Sequence, residues 1–196
     1  SALSTAYSAS SPVLMVTGQI EKDEIGGDRG MLHEVNDQLD AIKPVTKWAK
    51  RMLDPAEVPE IVHEAFFHLK NGRPRPVEIE IPPETLADVG EVELLEPEAP
   101  RKIAAPADQI EAAAEALAGA AKPLIWAGGG VISAEGSEAL TKLAEFLQAP
   151  VVTTAEGKGA ISDHHPLSLG ALWLRNDTIA KKEFGHDVIL AVGTRL

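Results

Sequence analysis

The chain has 196 residues, no cysteine, an apolar fraction of 44% and a formal net charge of −12. The missing cysteines exclude a disulfide framework, a thiolate nucleophile and a cysteine-based zinc site. The excess of carboxylates argues against a nucleic-acid partner, whose phosphates need a basic face. No apolar run approaches the roughly 20 residues that span a bilayer, and the opening SALSTAYSAS lacks the basic start of a signal peptide, so a cytoplasmic protein without a membrane partner is expected.

SPVLMVTGQI (residues 11–20) is an apolar run closed by Thr-Gly and predicts a buried parallel strand. The polar, Gly-rich stretch from Glu21 to Gln38 predicts a loop, and KPVTKWAKRM (43–52) reads as a short strand or turn followed by one helical turn. Val58, Ile61, Val62, Ala65, Phe66 and Leu69 share one face at helical spacing. Pro59 stands where a first turn tolerates it, and Gly72 stands just past the end. In PVEIEIP (76–82) Val77, Ile79 and Ile81 alternate with Glu78 and Glu80, which predicts a strand with one wet face near a sheet edge. Residues 82–106 hold five prolines and many acids without periodicity, and predict an interdomain connection.

A second regular region follows. ADQIEAAAEALAGA (107–120) predicts a helix with Asp108 and Glu111 at capping-box spacing and Gly119 as its end. KPLIWAGGG (122–130) reads as a strand and turn, EALTKLAEFLQ (138–148) as an amphipathic helix and APVVTT (149–154) as a strand. AEGKGAISDHHPLSLG (155–170) reads as a long loop, TIAKKEFG (178–185) as a short helix and HDVILAVG (186–193) as a strand. The alternation implies an α/β protein with parallel sheets flanked by helices. The start without Met and the end on a strand and a Gly turn read as the middle of a longer polypeptide.

The glycines Gly128, Gly129 and Gly130 stand between a strand and a helix, where backbone N–H groups could meet a phosphate. They only approximate G-x-G-x-x-G, and no Gly-Lys-Ser/Thr follows, so a plain turn competes. The loop after VVTT brings Thr154 and Lys158, and loops at the carboxyl ends of neighbouring parallel strands converge on a ligand crevice. DHHP (163–166) has no third ligand at a recognisable spacing, so no metal site is expected. His33-Glu34 is not H-E-x-x-H and G-x-S-x-G does not occur, which removes the zincin and hydrolase-elbow readings. Gln19, at a strand's end, could orient a ligand. Arg73 and Arg75 are expected to pair with carboxylates.

Taken together, SSPVLMVTGQI, IGGDRGMLHEVNDQ, KPVTKWAKR, NGRPRPVEIEIP, KPLIWAGGGV, APVVTTAEGKGAISDHHPLSLG and DVILAVGTRL resemble, in this order, the thiamine-diphosphate-dependent enzymes of the acetohydroxyacid (acetolactate) synthase type. The resemblance implies two partial domains. Residues 1–86 would be the C-terminal part of the pyrimidine-binding domain, 87–106 a linker and 107–196 the N-terminal part of a Rossmann-like central domain. It implies decarboxylation of, or carboligation on, a small 2-keto acid, with thiamine diphosphate and Mg2+ as cofactors. It also implies a homo-oligomer, dimer or tetramer. The activating glutamate would lie before Ser1 and the Gly-Asp-Gly…Asn segment after Leu196, so this stretch alone would be inactive. FAD or ADP in the central domain is implied at Gly128, Gly129, Gly130, Thr154 and Lys158. Gln19, His33 and Lys47 would stand on the active-site wall. The pattern departs at Leu32-His33-Glu34, where synthases carry Phe-Gln-Glu, at Lys47-Trp48, where they often carry Lys-His, and at Arg75, where they carry Gly. Rival readings are a non-catalytic nucleotide-binding module or scaffold, and an NAD-dependent dehydrogenase, for which Glu156 is poorly placed.

Overall fold

A computed structural model describes residues 1–101, 103–171 and 185–195. The chain divides into two compact units, Ser1–Ile103 and Ala104–Leu196. The helix expected over 178–185 lies, but for its last residue, outside the described residues.

The first unit contains α1 (Ala2–Ser8), β1 (Leu14–Gly18), α2 (Gln38–Ile42), β2 (Trp48–Arg51), α3 (Val58–Lys70), β3 (Val77–Ile81) and α4 (Pro83–Ala87). Its sheet is parallel, in the order β1-β3-β2. The apolar stripe of α3 buries Ile61 and Ala65 against Val77 and Ile79. The larger side chains there, Ile61, Val77 and Ile79, each contribute about 1.5–3 kcal/mol. A capping box opens the 3₁₀ turn Pro55–Glu57 that leads into the helix: the Asp54 side chain accepts from Ala56 N–H, and Glu57 accepts from Leu53 and Asp54 N–H. Gly72, with φ +65°, lets the chain leave its far end.

Several expectations change here. β3 is the central strand, not an edge, and Glu78 and Glu80 are 0% exposed. Alternation records only that one face is polar. A polar face can be covered when neighbouring strands bring polar partners, which a single strand's pattern does not reveal. The buried strand expected within 11–20 forms at Leu14–Gly18 as an edge strand whose Val16 is 59% exposed. In 43–52 the turn comes first, as a 3₁₀ turn at Lys43–Val45, and the strand follows. Arg75 stacks its guanidinium 3.9 Å from the Tyr7 ring centre and donates to the Tyr7 hydroxyl, in place of the expected carboxylate.

The second unit contains α5 (Ala107–Ala118), β4 (Pro123–Ala127), α6 (Gly129–Ser133), α7 (Ser137–Leu147), β5 (Val151–Thr153), β6 (Ser168–Ala171) and β7 (Val188–Val192). The sheet order is β6-β5-β4-β7, all parallel. Its core joins Ile125, Ala127 and Val151 to Val131, Leu140, Ala144 and Ile161. Asp187 ties the start of β7 to the start of β4 by accepting from Ala121 and Lys122 N–H. α5 follows Pro106 without a side-chain cap, so the Asp108–Glu111 spacing makes no capping box. Pro106 carries the chain straight into the first helical turn, two positions ahead of where Asp108 could cap it. The three glycines do not make a simple turn but start the short α6, and the long loop ends in β6.

Candidate functional site

In the first unit the carboxyl edge of the sheet gathers polar side chains. Parallel register places Met15, Ala49 and Glu78 across one row and Thr17, Arg51 and Glu80 across the next, all on one face. Glu78 Oε1 accepts from the Thr17 hydroxyl at 2.6 Å, and Gln38 Nε2 donates to that hydroxyl and to the carbonyl of Gly18. Glu80 Oε1 accepts from Gln19 Nε2 at 2.9 Å and from Arg51 Nε. The Arg51 guanidinium also stands 3.7 Å from Asp37.

Both carboxylates leave their Oε2 atoms buried without a partner. Burial pushes the Glu78 carboxyl above the ordinary range; Thr17 and Arg51 oppose that shift and Glu80 adds to it. Burial thus favours the protonated form of Glu78, while Arg51 pairs with Glu80. The sequence-predicted Gln19 belongs to this cluster. Glu78, Glu80, Arg51, Thr17 and Gln38 were missed. The signal was present: two glutamates in a strand flanked by apolar residues, opposite a strand carrying Thr and one carrying Arg.

His33 sits elsewhere, on an exposed loop with φ +70°. Glu34 organises that loop by accepting from Arg29, Gly30 and Met31 N–H. The Met31 bond leads in holding the Glu34 carboxyl below its usual range. Lys47 precedes β2, at the amino edge of the same sheet and so at the end opposite Gln19. Its ammonium donates to the carbonyls of His68, Asn71 and Arg73, at the end of α3 and just beyond it. A cation at a helix C-terminus is favourable. Burial first, and then Arg75, lower its pKa. Trp48 points to the α3 side, donates to Glu64 and stacks on His68. The structure thus brings Gln19 together with Glu80 and Arg51, and does not bring Lys47 to them.

In the second unit the carboxyl edge is built of backbone. Gly128 N–H donates to Val192, Gly130 N–H to Gly193 and Thr154 N–H to Ala127. A Cβ on Gly128 would lie 2.6 Å from Thr194 Cα, and one on Gly130 would lie 2.8 Å from Gly193 Cα. On Gly157 it would lie 2.9 Å from Gly128 Cα, and on Gly193, at φ +61°, 2.5 Å from Val131 N. These glycines let three loops touch backbone to backbone, which explains them without a phosphate. A Cβ on Gly129 would meet the Glu156 carbonyl at 3.0 Å. Lys158 pairs with Asp163 at 2.8 Å, and His165 meets Glu145, so DHHP is taken up by surface contacts. The Thr154 hydroxyl accepts from Gly157 N–H and keeps its own proton to donate. Among the described residues no cluster of His, Asp or Glu is arranged to hold a metal ion, and no helix is long and apolar enough to cross a membrane.

Residues 110–196 match the family model described as thiamine pyrophosphate enzyme, central domain. Over its length the chain is 37% identical, across 203 residues, to a "Probable acetolactate synthase large subunit" of Methanocaldococcus jannaschii, covering 98% of this chain and 34% of that protein. Residues 110–196 are thus similar to the central domain of thiamine pyrophosphate enzymes, and the chain as a whole is similar to an acetolactate synthase large subunit. It is also 36% identical over 208 residues to a "Glyoxylate carboligase" of Escherichia coli O157:H7, covering 99% of this chain and 33% of the relative. Among solved structures it is similar to the thiamine diphosphate-dependent 4-hydroxybenzoylformate decarboxylase of Rhodococcus jostii RHA1. That likeness has a TM-score of 0.82 and 27% identity over 98% of this chain and 37% of that one. The chain spans about a third of the length of the curated relatives it matches.

Proposed function

We propose that the chain is part of a thiamine-diphosphate-dependent enzyme acting on small 2-keto acids, either an acetolactate-synthase-like carboligase or a decarboxylase. The observation that carries this reading is a match along 98% or more of the chain to carboligase relatives and to a decarboxylase structure alike. In it, residues 1–86 are the C-terminal part of the pyrimidine-binding domain, 87–106 the connection and 107–196 the N-terminal part of the central domain. The complete protein works as a homo-oligomer in the cytoplasm. When bound, thiamine diphosphate with Mg2+ supplies the carbon nucleophile and electron sink that 2-keto acid decarboxylation needs. The described residues offer no metal-holding cluster, so the magnesium and diphosphate contacts are assigned to other parts of the enzyme.

Within this chain Gln19 contributes a hydrogen-bond donor to the active-site wall. His33 contributes a solvent-facing imidazole, as a proton donor or polar contact for substrate. Lys47 joins that wall only by giving up its three carbonyls, and its present duty is to close α3. A flavin or ADP group in the central domain is supported by the resemblance and by the free hydroxyl proton of Thr154, whereas the glycines are accounted for by loop packing.

The test uses the polypeptide of full family length, purified with thiamine diphosphate and Mg2+ and offered a panel of 2-keto acids. CO₂ release that disappears when the cofactor is withheld is expected, and the product separates carboligase from decarboxylase. Absence of cofactor-dependent turnover sinks the reading. Titration of FAD and ADP against the same protein decides the nucleotide.

A further inference from the structure

We propose that Glu80 is a positioning residue: it locks the side-chain amide of Gln19 in one orientation, so that a single N–H is presented to an oxygen of the 2-keto acid. This rests on the reading above. The lock has two ends. Gln19 Oε1 accepts from Ile20 N–H at 2.7 Å, and Gln19 Nε2 donates to Glu80 Oε1 at 2.9 Å. Turning the amide over would set oxygen against oxygen at Glu80 and NH₂ against N–H at Ile20, so the hydrogen bonds themselves assign the orientation. The Gln19 backbone is held as well, its N–H donating to the Ile81 carbonyl at 3.1 Å. Main chain and side chain of Gln19 are therefore both stitched to the end of β3.

An amide nitrogen has two protons. One goes to Glu80, and the second has no partner among the described residues. It lies at the carboxyl end of a parallel sheet, the edge outside which ligands of such sheets bind. Gln19 is half-buried.

Glu80 can do this only because its own charge is managed. The side chain is 0% exposed, and an unpaired carboxylate there would be expelled or protonated. Arg51 donates to the same Oε1 that receives Gln19. Glu78, two positions away on the same face, is pushed toward its neutral form by burial, against the opposing hydrogen bond from the Thr17 hydroxyl. Arg51 thus pairs with Glu80, and the paired carboxylate orients Gln19. The exposed part of this relay is a neutral N–H beside an ion pair, which suits a carbonyl or carboxylate oxygen as its acceptor.

The experiment uses the full-length enzyme with thiamine diphosphate and Mg2+, and measures kcat and KM separately for the most active 2-keto acid. The first variant is Glu80→Met with Arg51→Met. It removes the acceptor without leaving a buried unpaired charge, an exchange that proteins tolerate well. The second is Gln19→Ala. Each is expected to raise KM about tenfold with kcat changed less than about threefold, the pattern of a lost binding contact. Combining them is expected to add nothing further. A purely structural Glu80 would change the melting temperature and the active fraction but leave KM in place. KM unchanged in either variant, while the unsubstituted enzyme turns over, overturns this inference alone. No cofactor-dependent turnover in the unsubstituted enzyme overturns it together with the functional reading. If the double variant does not fold, the Gln19 amide protons of the unsubstituted protein decide. One proton exchanging with water much more slowly than in a free glutamine supports the lock, and both exchanging at the free rate overturn it.

Discussion

The carboxyl edges of the two sheets are built in opposite ways. In the first unit the edge is made by side chains: carboxylates, amides, a hydroxyl and a guanidinium hydrogen-bond to one another. In the second it is made by the absence of side chains, with glycines letting three loops meet backbone to backbone. Gly18 and Gly128 state the contrast most simply. Both end a parallel strand, yet a Cβ on Gly18 meets nothing within 4 Å while one on Gly128 runs into Gly193 and Thr194. A glycine after a strand is therefore not in itself a sign of ligand approach. Its meaning depends on which loop lies opposite.

Substitutions can break or sharpen that contrast. Gly128→Ala is expected to cost about 3 kcal/mol, the upper end for forced overpacking, because the opposing atoms are backbone and cannot rotate away. A denaturant midpoint unchanged by it would show that the three-loop contact is not needed for stability.

Lys47→Met tests whether the first unit's amino edge also relies on side chains. Loss of its bonds to the three carbonyls at the end of α3 is expected to cost about 2 kcal/mol, the scale of a partly buried cation at a helix C-terminus. Thermal melts with and without the substitution measure it, and an unaltered melt would return Lys47 to the candidates for substrate contact alone.

Glu78→Gln acts through pH. The carboxyl of Glu78 is raised in the folded chain by burial, so it binds its proton more tightly folded than unfolded. The stability this contributes is full below the ordinary carboxylate pKa and is lost as pH rises through the raised value. An uncharged glutamine does not lose it. The variant is expected to unfold at the same or higher denaturant concentration than the parent at neutral pH, and to show a flatter stability profile on the alkaline side of the carboxylate range. A parallel profile in parent and variant would show that Glu78 is ionised in both states.

The smallest effect belongs to Gly18→Ala. With open space around the added methyl and no positive φ, its midpoint is expected to shift by less than about 0.5 kcal/mol. A large loss there would erase the contrast between the two edges.

Much of this architecture was legible in the sequence. The stripe from Val58 to Leu69, Gly72 beyond it, the apolar runs around LIWA, VVTT and VILAV, and the α7 pattern all read correctly. In each case the signal is local: a period, a cap or a breaker within one element. The errors share a different cause. PVEIEIP was read as a strand with a wet face because its own residues say only that one face is polar. Capping-box spacing at Asp108 and Glu111 was matched, but the helix begins two positions too early to use it. KPVTKWAKRM held a turn and a strand whose order depends on Lys47 N–H reaching the carbonyl of Pro76.

The candidate site divides in the same way. Gln19 was found from its place after Thr-Gly, at the end of a strand. Its partners Glu80 and Arg51 were not, because they come from strands that neighbour it only once the order β1-β3-β2 is set. The sequence by itself determined the α/β class, the position of most helices and strands and the likeness to thiamine-dependent enzymes, since periodicity and motif order are carried along the chain. Only the tertiary structure decided that β3 is central, that two glutamates are buried and share Thr17, Gln19 and Arg51, and that the glycines serve loop packing. Those outcomes depend on which strands lie side by side, and burial is a property of what lies across from a residue rather than of the residue itself.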